Sequence, residues 1–296
     1  VNMVAARVTR PVGTLITSLG EIDNAKLAIS KISEIWNSTP ERKSIGISVL
    51  LKGGYSFKDV ELSLGGNKIL KGVNFDIKAG SNLGLVGTAA AGKTTLLRVL
   101  QGFIRPTVGT ILVDGRALNT LDLENYRSQV SMVNSSPKFF AGSIEDNLRR
   151  ARRNISEREL DDAVVSSCLE EVLPNIDGGM SHQLDSIGSS LPNSYKQIIA
   201  ISRAIASNPK ILLFDEVFSP LDKSLQAKLL SKLREIGKSK TLILVTHDLR
   251  LTKNFDEIIV MDNGAVVGHS SHSSLLSNNA VYQKLWQLDQ LVQSTA

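Results

Sequence analysis

The sequence predicts an α/β fold in which helices cover both faces of a mostly parallel sheet. Three observations predict it. The first is Gly87-Thr88-Ala89-Ala90-Ala91-Gly92-Lys93-Thr94, which fits the phosphate-loop pattern G-x-x-x-x-G-K-[ST]. An apolar run, Leu83-Gly84-Leu85-Val86, enters this loop as a buried strand, and Thr95 to Leu100 leaves it as a helix. The second is a pair of apolar strands, Ile211 to Phe214 and Thr241 to Val245, separated by a helix from Ser224 to Ile236. The third is a series of strand-and-turn signals ahead of and behind the loop.

The first forty residues read as one long helix. Leu15, Ile22, Ile29 and Trp36 recur every seven positions, with Leu19, Ala25 and Ile32 between them. This seam runs from about Pro11 to a stop at Thr39-Pro40, and the opening Val1-Asn2-Met3 reads as a cut point. From Tyr55 the pattern changes. Phe57 to Leu62 alternates, Gly65-Gly66-Asn67 turns, and Ile69 to Ile77 forms a second strand. Asp114-Gly115 after Ile111-Leu112-Val113 is a tight hairpin signal. Ser143 to Ser207 is mostly helical, broken at Asp177-Gly178-Gly179.

Composition narrows the class. The 296 residues make one large domain or two modest ones, and 42% hydrophobic with 21% charged residues describes a packed globule. One cysteine, Cys168, excludes an internal disulfide and reads as a small buried hydrophobe. No run of eighteen apolar residues appears, so the sequence as given is not expected to span a membrane. The net charge of +5 is modest. Its basic cluster, Arg149, Arg150, Arg152 and Arg153, lacks stacking aromatics and reads as a solvated helix face, so no nucleic-acid partner is expected.

The chemistry concentrates at three strand ends. Gly87 to Thr95 would aim backbone N–H groups and a helix N-terminus at one anion, with Lys93 reaching the outer phosphates and Thr94 ligating Mg²⁺. This is a nucleoside triphosphate site. Asp215 and Glu216 end the second strand, where α/β ligands bind. Asp215 is placed to hold Mg²⁺ and Glu216 to deprotonate an attacking water. Two acids after a strand are by themselves no more than a helix-start preference; the phosphate loop upstream makes them a site. His247 follows the next strand and is the third candidate. His182, His269 and His272 read as structural, the last two in a Ser-rich tail.

Taken in order, these motifs resemble an ATP-binding cassette (ABC) ATPase. Ser219-Pro220-Leu221-Asp222 stands where the family's D-loop does, and Ile69 to Val73, Gly109-Thr110-Ile111 and Gly142 to Leu148 match its framework. The resemblance covers about residues 46 to 290. It implies a P-loop NTPase (RecA-like) core with a mostly parallel sheet, an antiparallel β subdomain and an inserted α-helical subdomain at about 136–205. The exporter-like segment Gly142 to Leu148 implies that residues 1–45 are the cytoplasmic end of a last transmembrane helix and a linker, ahead of a nucleotide-binding domain at 46–296. ATP and Mg²⁺ are the implied cofactors. A transmembrane domain and a second cassette are the implied partners, at the cytoplasmic face of a membrane.

Departures from the family pattern are as informative. An aliphatic residue, Leu64, stands where an adenine-stacking aromatic is usual, with Tyr55 too far upstream to replace it. Ala90 replaces a loop glycine. Ser135 stands where a glutamine contacts Mg²⁺, and would need a bridging water. The signature Leu-Ser-Gly-Gly-Gln reads here Leu191-Pro192-Asn193-Ser194-Tyr195. In the family that helix start closes over the ATP of the opposite subunit. The chain thus keeps Lys93, Thr94, Asp215, Glu216 and His247, which it would use itself, and has lost the part it would lend. That pattern implies an exporter ATPase paired with a partner whose signature is intact. The alternatives are a regulatory cassette with little hydrolysis, and a soluble non-transport ABC ATPase.

Overall fold

The computed structural model describes residues 21–33, 36–37 and 46–294. The chain divides into two compact units, Val1–Ser44 and Ile45–Ala296. In the first, residues 21–33 are helical, with Ile22, Ile29 and Ile32 exposed. The rest of the expected seam, from Pro11 to residue 20 and the stop at Thr39-Pro40, lies outside the described residues.

The second unit holds two main sheets. Tyr55–Leu64 (β1) and Asn67–Ile77 (β2) form a hairpin, and Val108–Val113 (β4) and Arg116–Ala117 (β5) complete a four-stranded antiparallel sheet in the order β2-β1-β4-β5. Asn82–Gly87 (β3), Val130–Val133 (β6), Ile211–Asp215 (β9), Thr241–Val245 (β10), Glu257–Asp262 (β11) and Ala265–Ser270 (β12) form the second, in the order β12-β11-β3-β10-β9-β6. All its neighbours are parallel except β11 and β12. Strands β9 and β10 are buried along their whole length, which is why they read as unbroken apolar runs.

Three two-residue turns fix the hairpins. Gly65 and Gly66 have φ of 56° and 81°, Asp114 and Gly115 49° and 81°, and Asn263 and Gly264 46° and 84°. Left-handed geometry at both central residues is what the Gly-Gly, Asp-Gly and Asn-Gly dipeptides supply. The third hairpin corrects the reading of a Ser-rich tail. His269 lies on β12, with Nε2 2.8 Å from Glu257 Oε2, and His272 opens the helix His272–Asn278, its Nδ1 2.8 Å from the Tyr282 hydroxyl.

Three apolar clusters hold the layers together. One joins the antiparallel sheet and the helix Lys93–Leu100 to the parallel sheet, through residues such as Phe57, Leu97 and Leu213. Another packs the helices between Ile144 and Ala206 against the far side, around Leu148, Ile198 and Phe214. Cys168 belongs to it, fully buried as expected. The third seats the helix Ala280–Ser294 on Val86 and Val260 through the buried ring of Tyr282. A smaller pair, Gly142–Ser143 (β7) with Gln183–Leu184 (β8), ties the helical segment together. The arginine cluster is engaged: Arg149 binds Glu145 and Glu157, Arg152 binds Glu159, and Arg150 lies over Phe140.

Candidate nucleotide site

The phosphate loop is built at the end of β3. Gly87 has φ of 154°, and a Cβ there would lie 2.0 Å from the Met261 carbonyl oxygen, so the adjacent strand β11 leaves room for glycine alone. Gly92, at φ 93°, caps the helix Lys93–Leu100. Ala90 has φ of 58°, so the alanine occupies the left-handed conformation that suits glycine. Thr88 is held by two contacts with the end of β11: its N–H donates to Met261 O at 3.3 Å, and its hydroxyl donates to Asp262 Oδ1 at 2.7 Å.

Lys93 is buried, and its ammonium donates to the carbonyls of Gly87 at 3.0 Å and Thr88 at 2.8 Å. Burial lowers its pKa, opposed by the charges of Glu216 and Asp215. The ammonium therefore waits within the loop, on neutral oxygens that an anion would outcompete.

Parallel pairing delivers the acids. Strand β9 lies between β6 and β10, with Asp215 in register with Val245, two residues before His247. Asp215 is buried, and its Oδ1 has no hydrogen-bond partner. Burial raises its pKa; a hydrogen bond with Thr94 opposes the rise and the charge of Glu216 adds to it. An orphaned carboxylate oxygen beside the Thr94 hydroxyl is a donor pair that suits a hard divalent cation. Glu216, at φ 56°, donates its N–H to Val245 O at 3.0 Å and places Oε1 2.9 Å from His247 Nε2. The pair opens on a cleft that Gly87, Ser219, Gln226, Thr246 and Leu288 also line.

The other candidate residues sit apart from this cluster. Leu191 is buried, and Pro192 is the N-cap of the helix Asn193–Ala206, with no side-chain hydrogen bond to the helix start. Asn193 is exposed; Ser194 and Tyr195 are half-buried. Ser135 lies in the exposed loop after β6 and shares a groove with Asn193, Lys196, Ser219 and Pro220. Leu221 is buried, and the Asp222 carboxylate caps the helix Lys223–Gly237 through Leu225 N at 2.9 Å. Leu64 is exposed at the tip of the first hairpin, and Tyr55 is buried with its hydroxyl 2.7 Å from that of Tyr126. Two residues that carry site geometry had no sequence motif: Asp262, which holds Thr88, and Gln226.

A phosphate loop at the C-terminal edge of a parallel sheet, with acids on the neighbouring strand, defines a nucleotide-binding ATPase domain. Comparison with known proteins narrows that class. The ABC transporter family pattern matches residues 70–219. The ATP-dependent lipid A-core flippase of Francisella tularensis subsp. holarctica (strain OSU18) is 34% identical over 286 residues, covering 96% of this chain and 47% of that protein. The alpha-hemolysin translocation ATP-binding protein HlyB of Escherichia coli O157:H7 is 32% identical over 292 residues, 97% of this chain and 41% of that protein. Among solved structures, a bacterial Atm1-family ABC exporter with ATP bound superposes with a TM-score of 0.82 at 27% identity, over 90% of this chain and 48% of that one. The chain belongs to the ABC transporter family and carries its ATP-binding domain. It spans less than half the length of these relatives.

Proposed function

We propose that this chain is the ATP-binding and ATP-hydrolysing part of an exporter, that it closes on a second cassette when ATP binds, and that closure drives transport. The observation that carries the reading is the contact between Glu216 and His247, 2.9 Å, beside the phosphate loop and the orphaned oxygen of Asp215. The loop amides and Lys93 bind the phosphates, and Lys93 leaves its own loop carbonyls to do so. Thr94 and Asp215 would hold Mg²⁺, which neutralises charge on the outer phosphates. Glu216 orients the attacking water and accepts its proton, and His247 fixes the carboxylate through Oε1.

Its expected neighbours follow from the relatives. The chain corresponds to the ATP-binding portion of longer membrane exporters, so its partners are a transmembrane domain and a second cassette, at the cytoplasmic face. Among the described residues no helix is long and apolar enough to cross a membrane, consistent with residues 1–45 being the end of a spanning helix and its linker. Pro192 without a capping side chain supports a signature that serves the opposite site poorly. That observation favours a partner with an intact signature, and it also favours the second reading, a regulatory cassette that binds ATP with little turnover.

Measuring Mg-dependent ATP binding and turnover for the wild type and for Glu216→Gln separates the two. The first reading predicts turnover in the wild type once an intact-signature cassette is supplied, and unchanged binding without turnover in the variant. ATP binding with no turnover in either protein would establish the regulatory reading.

A further inference from the structure

We infer that Gln226 is a positioning residue: it holds the turn from Phe218 to Asp222 as the wall shared by the Glu216–His247 cleft and the groove at Asn193. The inference rests on the reading of the chain as an ATP-hydrolysing cassette. By sequence, Gln226 is one polar residue on an amphipathic helix. In the structure its amide turns back over the start of that helix. Nε2 donates to the Phe218 carbonyl at 2.9 Å and to the Leu221 carbonyl at 3.0 Å. An amide nitrogen has two hydrogens, so this donor set is fully used on one turn.

The remaining contacts show what the amide adds. Leu221 N donates to Phe218 O at 3.0 Å, closing the turn, and Asp222 anchors the helix behind it. Phe218 and Leu221 are buried and fix the ends of the turn. Ser219 is exposed at the tip, with Pro220 half-buried beside it. Gln226 is thus the side chain that sets the direction of the carbonyls on both sides of Ser219-Pro220.

Placement turns this into a functional inference. The turn starts two residues after Glu216. Ser219 and Gln226 line the cleft of Glu216 and His247. Ser219 and Pro220 also line the groove of Ser135, Asn193 and Lys196. One turn therefore shapes both the site the chain owns and the face it would present to a partner. The phosphate loop is held independently, through Asp262 and Met261. Loss of the Gln226 donors should accordingly slow turnover and leave nucleotide affinity alone.

The test uses the full chain with an intact-signature cassette, comparing wild type, Gln226→Leu and Gln226→Lys. Gln226→Leu removes both donors at similar volume; Gln226→Lys restores a donor that can reach both carbonyls. The expected result is about tenfold lower kcat for Gln226→Leu, the cost of one to two lost hydrogen bonds. KM and the ATP dissociation constant should stay within about twofold, hydrogen exchange at the Leu221 amide should accelerate, and Gln226→Lys should recover both rate and protection. Faster exchange with unchanged kcat would overturn the inference, since the residue would then be structural alone. Unchanged exchange in Gln226→Leu would overturn it too. A wild type that binds ATP without turnover would defeat the hydrolysis reading, and the exchange arm would still decide whether Gln226 holds the turn.

Discussion

Glu216 combines a left-handed backbone, φ 56°, with a side chain aimed at His247. Such a conformation costs a non-glycine residue about 1–2 kcal/mol, a cost retained where it serves a site. Ala90 has the same kind of backbone, φ 58°, with no side-chain function. Ala90→Gly should therefore relieve about 1 kcal/mol of strain, partly offset by greater freedom in the unfolded chain, and leave Tm unchanged or slightly higher. A clear fall in Tm would refute that. Gly87→Ala should behave oppositely, because its Cβ would meet Met261 O at 2.0 Å. We expect loss of ATP binding in a nucleotide titration and a markedly lower Tm.

Asp215 gives a pH prediction at the same scale. Burial raises its pKa, with the Thr94 hydrogen bond opposing and Glu216 reinforcing. The folded state then binds its proton more tightly than the unfolded state does. Without nucleotide or metal, the wild type loses stability as pH rises from about 4, the unfolded carboxylate value, through the raised folded value. Asp215→Asn has no such loss. Its Tm should exceed that of wild type at neutral pH, by about 2–4 °C per kcal/mol, and the gap should close in acid. Melting curves across pH check this; a gap that widens toward low pH would contradict it. The same variant should lose Mg-dependent turnover.

Among the elements, the helix Asn193–Ala206 starts on a residue that offers it nothing. Pro192 suits the geometry of a helix start but has no side-chain acceptor. Pro192→Ser should add a cap worth about 1 kcal/mol, read as a higher Tm. Combined with Asn193→Gly and Ser194→Gly, it should raise the turnover of paired copies of this chain at least about tenfold. No gain in the triple variant would show that this helix start does not limit the site. The hairpins show how much of an element is legible in advance. Gly65-Gly66 and Asp114-Gly115 announce theirs because left-handed φ at both positions selects those residues. Asn263-Gly264 carries the same signal between Val260 and Val266, yet the serines that follow obscured it, and β11, β12 and the last helices went unread.

Across the whole molecule, what the sequence made legible is what depends on local order. The phosphate loop could be read because its strand, turn and helix are contiguous. His247 could be placed beside Asp215 because two unbroken apolar strands imply parallel neighbours. Thr88 and Asp262 lie 174 residues apart, and only the folded sheet shows that they meet. Gln226 is close to its turn in sequence, but nothing in an amphipathic helix says that its amide folds backward. Ser135 is a further case: a motif position placed it near Mg²⁺, whereas the structure sets it on an exposed loop facing Asn193 and Ser219.

The central claim is that this chain owns a working catalytic half-site and needs another cassette's signature to complete it. It is tested most directly by Mg-ATP turnover over a wide concentration range, alone and with an intact-signature cassette inactivated at its own catalytic glutamate, beside a Glu216→Gln control. We predict low turnover alone, a large rise on adding the second cassette, and loss of that rise in Glu216→Gln. Turnover proportional to the concentration of this chain, indifferent to the second cassette or persisting in Glu216→Gln, would contradict the account.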